Sequence, residues 1–214
     1  MQRRWCEESD CPCTAEDLAR ADSLIASALS AESSNASAHF VKAELAFTRK
    51  QFDVALSESQ VAIENGGNFA WAYALRGGIY IYLGRAAETI SYEETALRLS
   101  PREPDRNFWE HWICHAFAHM AQWEIAAEWC GKSVATNPLF WIPYVDLAAS
   151  YGWLGREPEA KTAVAGLHKL MPGFTVQDWA SITWSDDPQF QREDARIVEG
   201  LRKAGLPEAK ATSK

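Results

Sequence analysis

The sequence contains no apolar run long enough to cross a bilayer. A membrane helix needs about 18 consecutive apolar residues, and the most apolar window, Ile79 to Leu83, is closed in by Arg76 and Arg85. Clustered basic charge is missing too: 21 Lys and Arg are set against 29 Asp and Glu, for a net charge of -8. Phosphate neutralisation needs grouped cations, so nucleic acid is not expected as a direct ligand. Acidic Glu7 and Glu8 follow Met1 closely, where a secretion signal would need its apolar core. The resulting expectation is a cytoplasmic chain with no membrane contact. Gly-x-Ser-x-Gly, P-loop and Gly-x-Gly-x-x-Gly motifs are absent, and so is any alternating strand pattern. These absences remove the usual grounds for an enzyme or a bound cofactor, and neither is expected.

Cysteine is sparse and odd in number: Cys6, Cys11, Cys13, Cys114 and Cys130. A chain of this size does not need disulfide staples, so reduced thiols are expected. Cys6-x4-Cys11-x-Cys13 could hold a soft metal, yet it offers three ligands with no matching pair downstream. The other reading is an irregular N-terminal segment over 1–13.

What is present is a repeat. Hydrophobic residues make up 47% of the chain, enough for a substantial core, and from Ala36 onward they recur with a period of about 34 residues. Small residues fall in register at Ala43, Gly77, Cys114 and Ala148, then at Ala55, Thr89, Ala126 and Ala160, then at Ala62, Ala96 and Ser133, with Leu167 as the exception. Two helices that cross closely need small side chains at the crossing. Gly67, Pro101, Pro138 and Pro172 close the units, since both residue types stop a helix. Pro101 and Pro138 are 37 positions apart, so Arg102 to Arg106 form an enlarged loop. Lys42 and Arg76 occupy a first-helix position that Ile113 and Leu147 keep apolar. Either their stems lie along the core edge, or the first two units are rotated.

Tyr73, Gly77, Tyr80, Gly84, Ile90, Tyr92, Ala96, Leu97, Leu99 and Pro101 fall at the signature positions of the tetratricopeptide repeat, and the chain resembles that family. The resemblance implies an all-α fold, a right-handed α-α superhelix of about four helix pairs with a leading helix and a C-terminal capping helix. The solenoid is expected over 14–207, with repeats about 36–69, 70–106, 107–140 and 141–173, a capping helix about 187–204 and a tail over 208–214. The leading helix starts at the capping-box-like Thr14-Ala15-Glu16-Asp17 and carries the stripe Leu18, Ala21, Leu24, Ile25, Ala28, Leu29. Three segments, 99–105, 171–176 and 197–207, also resemble the C-terminal repeat region of bacterial class III adenylate and guanylate cyclases, a tail found behind some winged-helix regulators as well. No cyclase catalytic residues accompany it, so the resemblance implies at most a regulatory portion acting on a separate or upstream effector.

In the tetratricopeptide family the first helices line a concave groove. Carried over to this sequence, the groove contacts are Phe40, Trp71, Tyr82, His111, His115, His119 and Trp153. The groove would be aromatic and nearly uncharged, without the Lys, Arg and Asn of terminal-carboxylate clamps. It suits a peptide or protein partner anchored by large side chains. Several aromatics, Trp109, Trp112 and Trp123 among them, have core packing as the alternative. His111, His115 and His119 share one helical face at steps of four, and three readings stay open: a metal, a polar contact for a ligand, or structural imidazoles. Solenoid edges can self-associate, which leaves a homodimer open.

Overall fold

The computed structural model describes residues 14–209, which form eleven helices and no strand. Cys6, Cys11 and Cys13 lie outside the described residues. Helix α1 spans Ala15–Ala31. Four antiparallel pairs follow: α2 Ala36–Thr48 with α3 Phe52–Gly66, α4 Ala70–Tyr82 with α5 Ala86–Leu99, α6 Asn107–His119 with α7 Trp123–Thr136, and α8 Ile142–Trp153 with α9 Glu157–Leu170. A short α10, Val176–Ala180, and α11, Pro188–Lys203, complete the chain. The architecture is an all-α helical-repeat superhelix.

Thr14 starts α1 through a reciprocal cap: its hydroxyl accepts from Asp17 N–H, and the Asp17 carboxylate accepts from Thr14 N–H at 2.8 Å. The expected stripe is only partly covered, because Ile25 is buried against α2 while Leu24 is 62% exposed. One neighbouring helix cannot cover a face that wide.

Within the pairs, the small residues do the work that the spacing requires. Ala43, Cys114 and Ala148 in the first helices, and Ala55, Thr89, Ala126, Ala62, Ala96 and Ser133 in the second, have no solvent exposure. At Gly77 a Cβ would lie 3.0 Å from Tyr92 Cβ and 2.6 Å from Glu93 Oε1, so any larger residue would force the helices apart. The two polar members are satisfied: Thr89 Oγ1 donates to Gly77 O at 2.8 Å and Ser133 Oγ to Asn107 O at 2.8 Å.

Each pair is joined by the same turn. Lys50, Gly84, Ala121 and Gly155 all have left-handed φ, at 57°, 65°, 57° and 66°. The residue after each returns its N–H to the carbonyl five positions back, Gln51 to Ala46, Arg85 to Tyr80, Gln122 to Phe117 and Arg156 to Tyr151. This is a Schellman closure, which spends one left-handed residue to satisfy the last carbonyls of the helix.

One sequence expectation changes. Cys114 and Cys130 are not free thiols but a disulfide, with Cα atoms 5.1 Å apart. The antiparallel pairing of α6 with α7 brings them within bonding distance, Cys114 at the small-residue crossing of α6 and Cys130 one turn beyond Ala126 on α7. Lys42 and Arg76 both find polar partners at the edge of their pairs. Lys42 Nζ lies 2.6 Å from Glu58 Oε1. Arg76 Nη1 donates to Leu56 O at 2.6 Å, and its guanidinium sits 5.6 Å from the Tyr80 and Tyr92 rings.

The C-terminal segment takes an unexpected path. After α10 the chain runs back across the concave side, where Lys50 Nζ donates to Thr183 O and Ser185 Oγ donates to Tyr82 O at 2.6 Å. Asp187 then caps α11 by accepting from Gln189 and Phe190 N–H, with Pro188 in the first turn. Helix α11 lies along α6 and α8, the inner helices, and not over the outer face of α9. Gly152 and Gly200 allow this approach: a Cβ on Gly152 would collide with Gly200 O, and one on Gly200 would lie 2.7 Å from Ala149 O.

Candidate functional site: the concave face and its buried histidine row

The concave face divides into two rims. At the N-terminal ends of the inner helices, aromatic rings form a ladder. Phe40 meets Phe69 at 4.9 Å, Trp71 meets Phe108 at 6.4 Å, and Phe108 meets Phe140 at 4.8 Å between centroids. Phe69, Trp71, Phe108 and Trp141 are half-buried, while Leu139 beside them is 65% exposed. At the C-terminal ends, the same face is covered by the chain's own residues. Tyr82 stacks on Phe190 at 5.5 Å, and Trp153 donates its indole N–H to Arg196 O at 2.8 Å while stacking on Trp123 at 5.7 Å.

The seven groove residues therefore separate. Phe40, Tyr82, His111, His115 and His119 are buried, Trp71 is half-buried, and Trp153 is 37% exposed. Trp109 and Trp112 are core, the Trp112 ring lying against Gly78 where a Cβ would meet it at 2.7 Å. Between the rims a small cavity of about 20 Å³ is bounded by Tyr82, His111, Trp112, His115, Phe140, Ile142, Trp179 and Trp184. That volume holds about one water molecule.

The three histidines are joined to carboxylates that sequence spacing did not reveal. Asp146, on α8 and without exposure, accepts from His115 Nδ1 at 3.0 and 3.1 Å. Burial pushes the Asp146 carboxyl up, but the His115 charge and hydrogen bond outweigh it and hold the group below its usual value. Burial likewise depresses His115, and Asp146 more than restores it, so its imidazole is held above its ordinary value. His119 and His111 lack that compensation: burial takes His119 well below its ordinary value and His111 down to about 3.

His115 Nδ1 lies 3.0 Å from Asp146 Oδ2, His115 Nε2 lies 3.2 Å from His119 Nε2, and His119 Nδ1 lies 3.3 Å from Glu193 Oε2. A chain of polar contacts thus runs from α8 through α6 to α11. One signal of it was in the sequence: Asp146 is the single charged residue in the otherwise apolar stretch Ile142–Trp153. Glu93 was also missed. Its carboxyl is fully buried on α5 with no hydrogen-bond partner among the described residues, and burial raises it well above its usual value, so it packs as a neutral acid.

Three solved structures place this fold. PilW, a widely conserved type IV pilus biogenesis factor, aligns with a TM-score of 0.69 at 21% identity, over 89% of this chain and 92% of its own. The pilF protein of Pseudomonas aeruginosa aligns with a TM-score of 0.68 at 17% identity, over 89% and 81%. YrrB, a TPR protein with an unusual peptide-binding site, aligns with a TM-score of 0.59 at 19% identity, over 84% and 90%. At such identities the likeness concerns the fold, and the class is a TPR-type helical-repeat superhelix. No family model matches the sequence, and no curated protein does. No helix among the described residues is long and apolar enough to cross a membrane.

Proposed function

We propose that the chain is a non-enzymatic interaction scaffold that holds a peptide or protein segment on its concave face, against the aromatic rim of Phe69, Trp71, Phe108 and Trp141. The observation that carries this reading is the row of half-buried rings at the N-terminal ends of three successive inner helices. Rings repeated at this spacing suit a partner that runs along the solenoid and seats a large side chain in each unit. Tyr82, His115, His119 and Trp153 act on the opposite rim, where they hold the segment 182–203 rather than the partner. The peptide-binding site of YrrB, on the same fold, agrees with this class of role.

The likeness of 197–207 to the cyclase tail has a packing explanation. Gly200 admits α8, Leu201, Ala204 and Leu206 are buried, and Pro207 O accepts from Val176 N–H at 2.9 Å. We read that segment as a docking signature, which fits a regulatory portion as well as a free-standing scaffold. With Cys114 and Cys130 joined the chain suits an oxidising compartment; with both thiols free it suits the cytoplasm.

Replacing Trp71 by Glu puts a charge where the partner would seat an apolar group. Affinity capture followed by mass spectrometry should lose the partner with Trp71→Glu while circular dichroism shows unchanged helix content. Identical captured proteins for the two forms would refute the reading.

A further inference from the structure

Cys114 lies between two other potential metal ligands. A ring nitrogen of His111, Cys114 Sγ and one Asp146 oxygen all fall within 4.8 Å of one another, and all three residues are buried. His111 Nδ1 is 3.7 Å from Asp146 Oδ2, and Cys114 Sγ is 3.9 Å from the same oxygen. Ligand atoms bound to tetrahedral zinc at about 2.0–2.3 Å are themselves separated by roughly 3.3–3.8 Å. The two distances to Asp146 Oδ2 lie at or just beyond the upper end of that range, so small side-chain shifts would bring the three donors onto one metal.

A second observation points into the same place. His111 Nδ1 is buried and makes no hydrogen bond among the described residues, although a lone pair left without a partner in the interior is unfavourable. A cation between His111, Cys114 and Asp146 would satisfy it. The small cavity is lined by His111 and His115, on the open side of the first ligand.

We propose that His111 Nδ1, Cys114 Sγ and Asp146 Oδ2 form a zinc-class metal site that becomes available when the Cys114–Cys130 disulfide is reduced. The same sulfur cannot serve both purposes. A dithiol reductant passes two electrons and two protons to the sulfur pair as it closes to its own disulfide, leaving two thiols. Metal entry then takes Cys114 as thiolate and releases its proton to water. Exchange of the thiol proton for the dication adds one positive charge, set against the Asp146 carboxylate in direct contact with the metal. His115, whose Nδ1 is shared between Asp146 Oδ1 at 3.1 Å and Oδ2 at 3.0 Å, is a positioning residue that would keep the Oδ1 contact while Oδ2 turns to the metal. The mixed nitrogen, oxygen and sulfur donor set favours zinc over magnesium or calcium.

Cobalt(II) is a visible probe for such a site. Under anaerobic conditions, wild-type protein reduced with a phosphine and the Cys130→Ser variant are titrated with cobalt(II), then with zinc. The expected result for both is one equivalent bound, with a thiolate-to-cobalt charge-transfer band that zinc abolishes, while the oxidised wild type shows no band. In the Cys130→Ser background His111→Gln should abolish the band, and His115→Gln should weaken binding by about 10- to 100-fold. Helix content by circular dichroism shows that each protein compared is folded. A reduced, folded protein without the band overturns the proposal, as does equal binding by the oxidised form or by His111→Gln.

Discussion

At the residue scale, burial decides which side chains can carry charge. Asp194 on α11 accepts from the Trp179 indole N–H at 3.1 Å, yet burial raises its carboxyl from 3.8 to about 6. The sign follows: below pH 3.8 the group is protonated whether the chain is folded or not, and above pH 6 the folded state holds an unfavourable anion. Stability is therefore lost as the pH rises through that window. Asp194→Asn keeps the acceptor for Trp179 and removes the anion, so it should raise stability at pH 8 by on the order of 3 kcal/mol. Denaturant melts at pH 8 and pH 3.5 check this, with the gain expected to vanish at the lower pH.

The turns set a second residue-scale expectation. Gly84 and Gly155 fill two of the four left-handed positions, whereas Ala121 adopts φ 57° with a Cβ. That conformation costs about 1–2 kcal/mol for a residue other than glycine, partly offset by the greater freedom of glycine when unfolded. Ala121→Gly should therefore stabilise by about 0.5–1 kcal/mol in equilibrium unfolding. A loss of stability would show that the turn is held by something else.

At the element scale, the outcome turns on how α11 is held. Its amphipathic pattern, with Phe190, Ile197, Val198 and Leu201 on one face, showed in the sequence that one side is buried, but not against which helices. Amphipathicity is a local property, whereas the contacts that place the helix are remote: Ser185 meets Tyr82 from 103 positions away. A cap over the end of the solenoid and a helix inside its curve look alike in one dimension. Gly152→Ala separates them, because its Cβ would strike backbone at Gly200, which no side-chain rotation relieves. Hydrogen exchange should then lose protection across 188–203 while α2 to α5 keep theirs. Unchanged protection in α11 would mean that the helix is not seated on α8.

The candidate site was legible to the same degree. Phe40, Trp71, Tyr82 and the three histidines could be placed on the inner helices because the repeat frame is periodic, and a period assigns residues to a face; that most of them are buried was not legible. Their partners were not, since Asp146 belongs to the next unit and Glu193 to α11, 31 and 74 positions from the histidines they meet. The disulfide was misread for a related reason. Composition argued against staples in a chain of this size, whereas the closeness of Cys114 and Cys130 follows from the pairing of α6 with α7, which sets the two side chains against each other.

At the scale of the whole molecule, four helix pairs make a curved trough, and the chain's own segment 182–203 occupies one rim of it. The other rim, with its half-buried rings, is the surface we propose for a partner. Site-specific photocrosslinking tests this most directly. A photoreactive amino acid is placed at Trp71, at Phe108, and at Thr162 on the exposed side of α9. The expected result is one shared partner crosslinked from positions 71 and 108 and not from 162. Crosslinking from 162 alone, or the same yield from all three positions, would contradict a concave binding face.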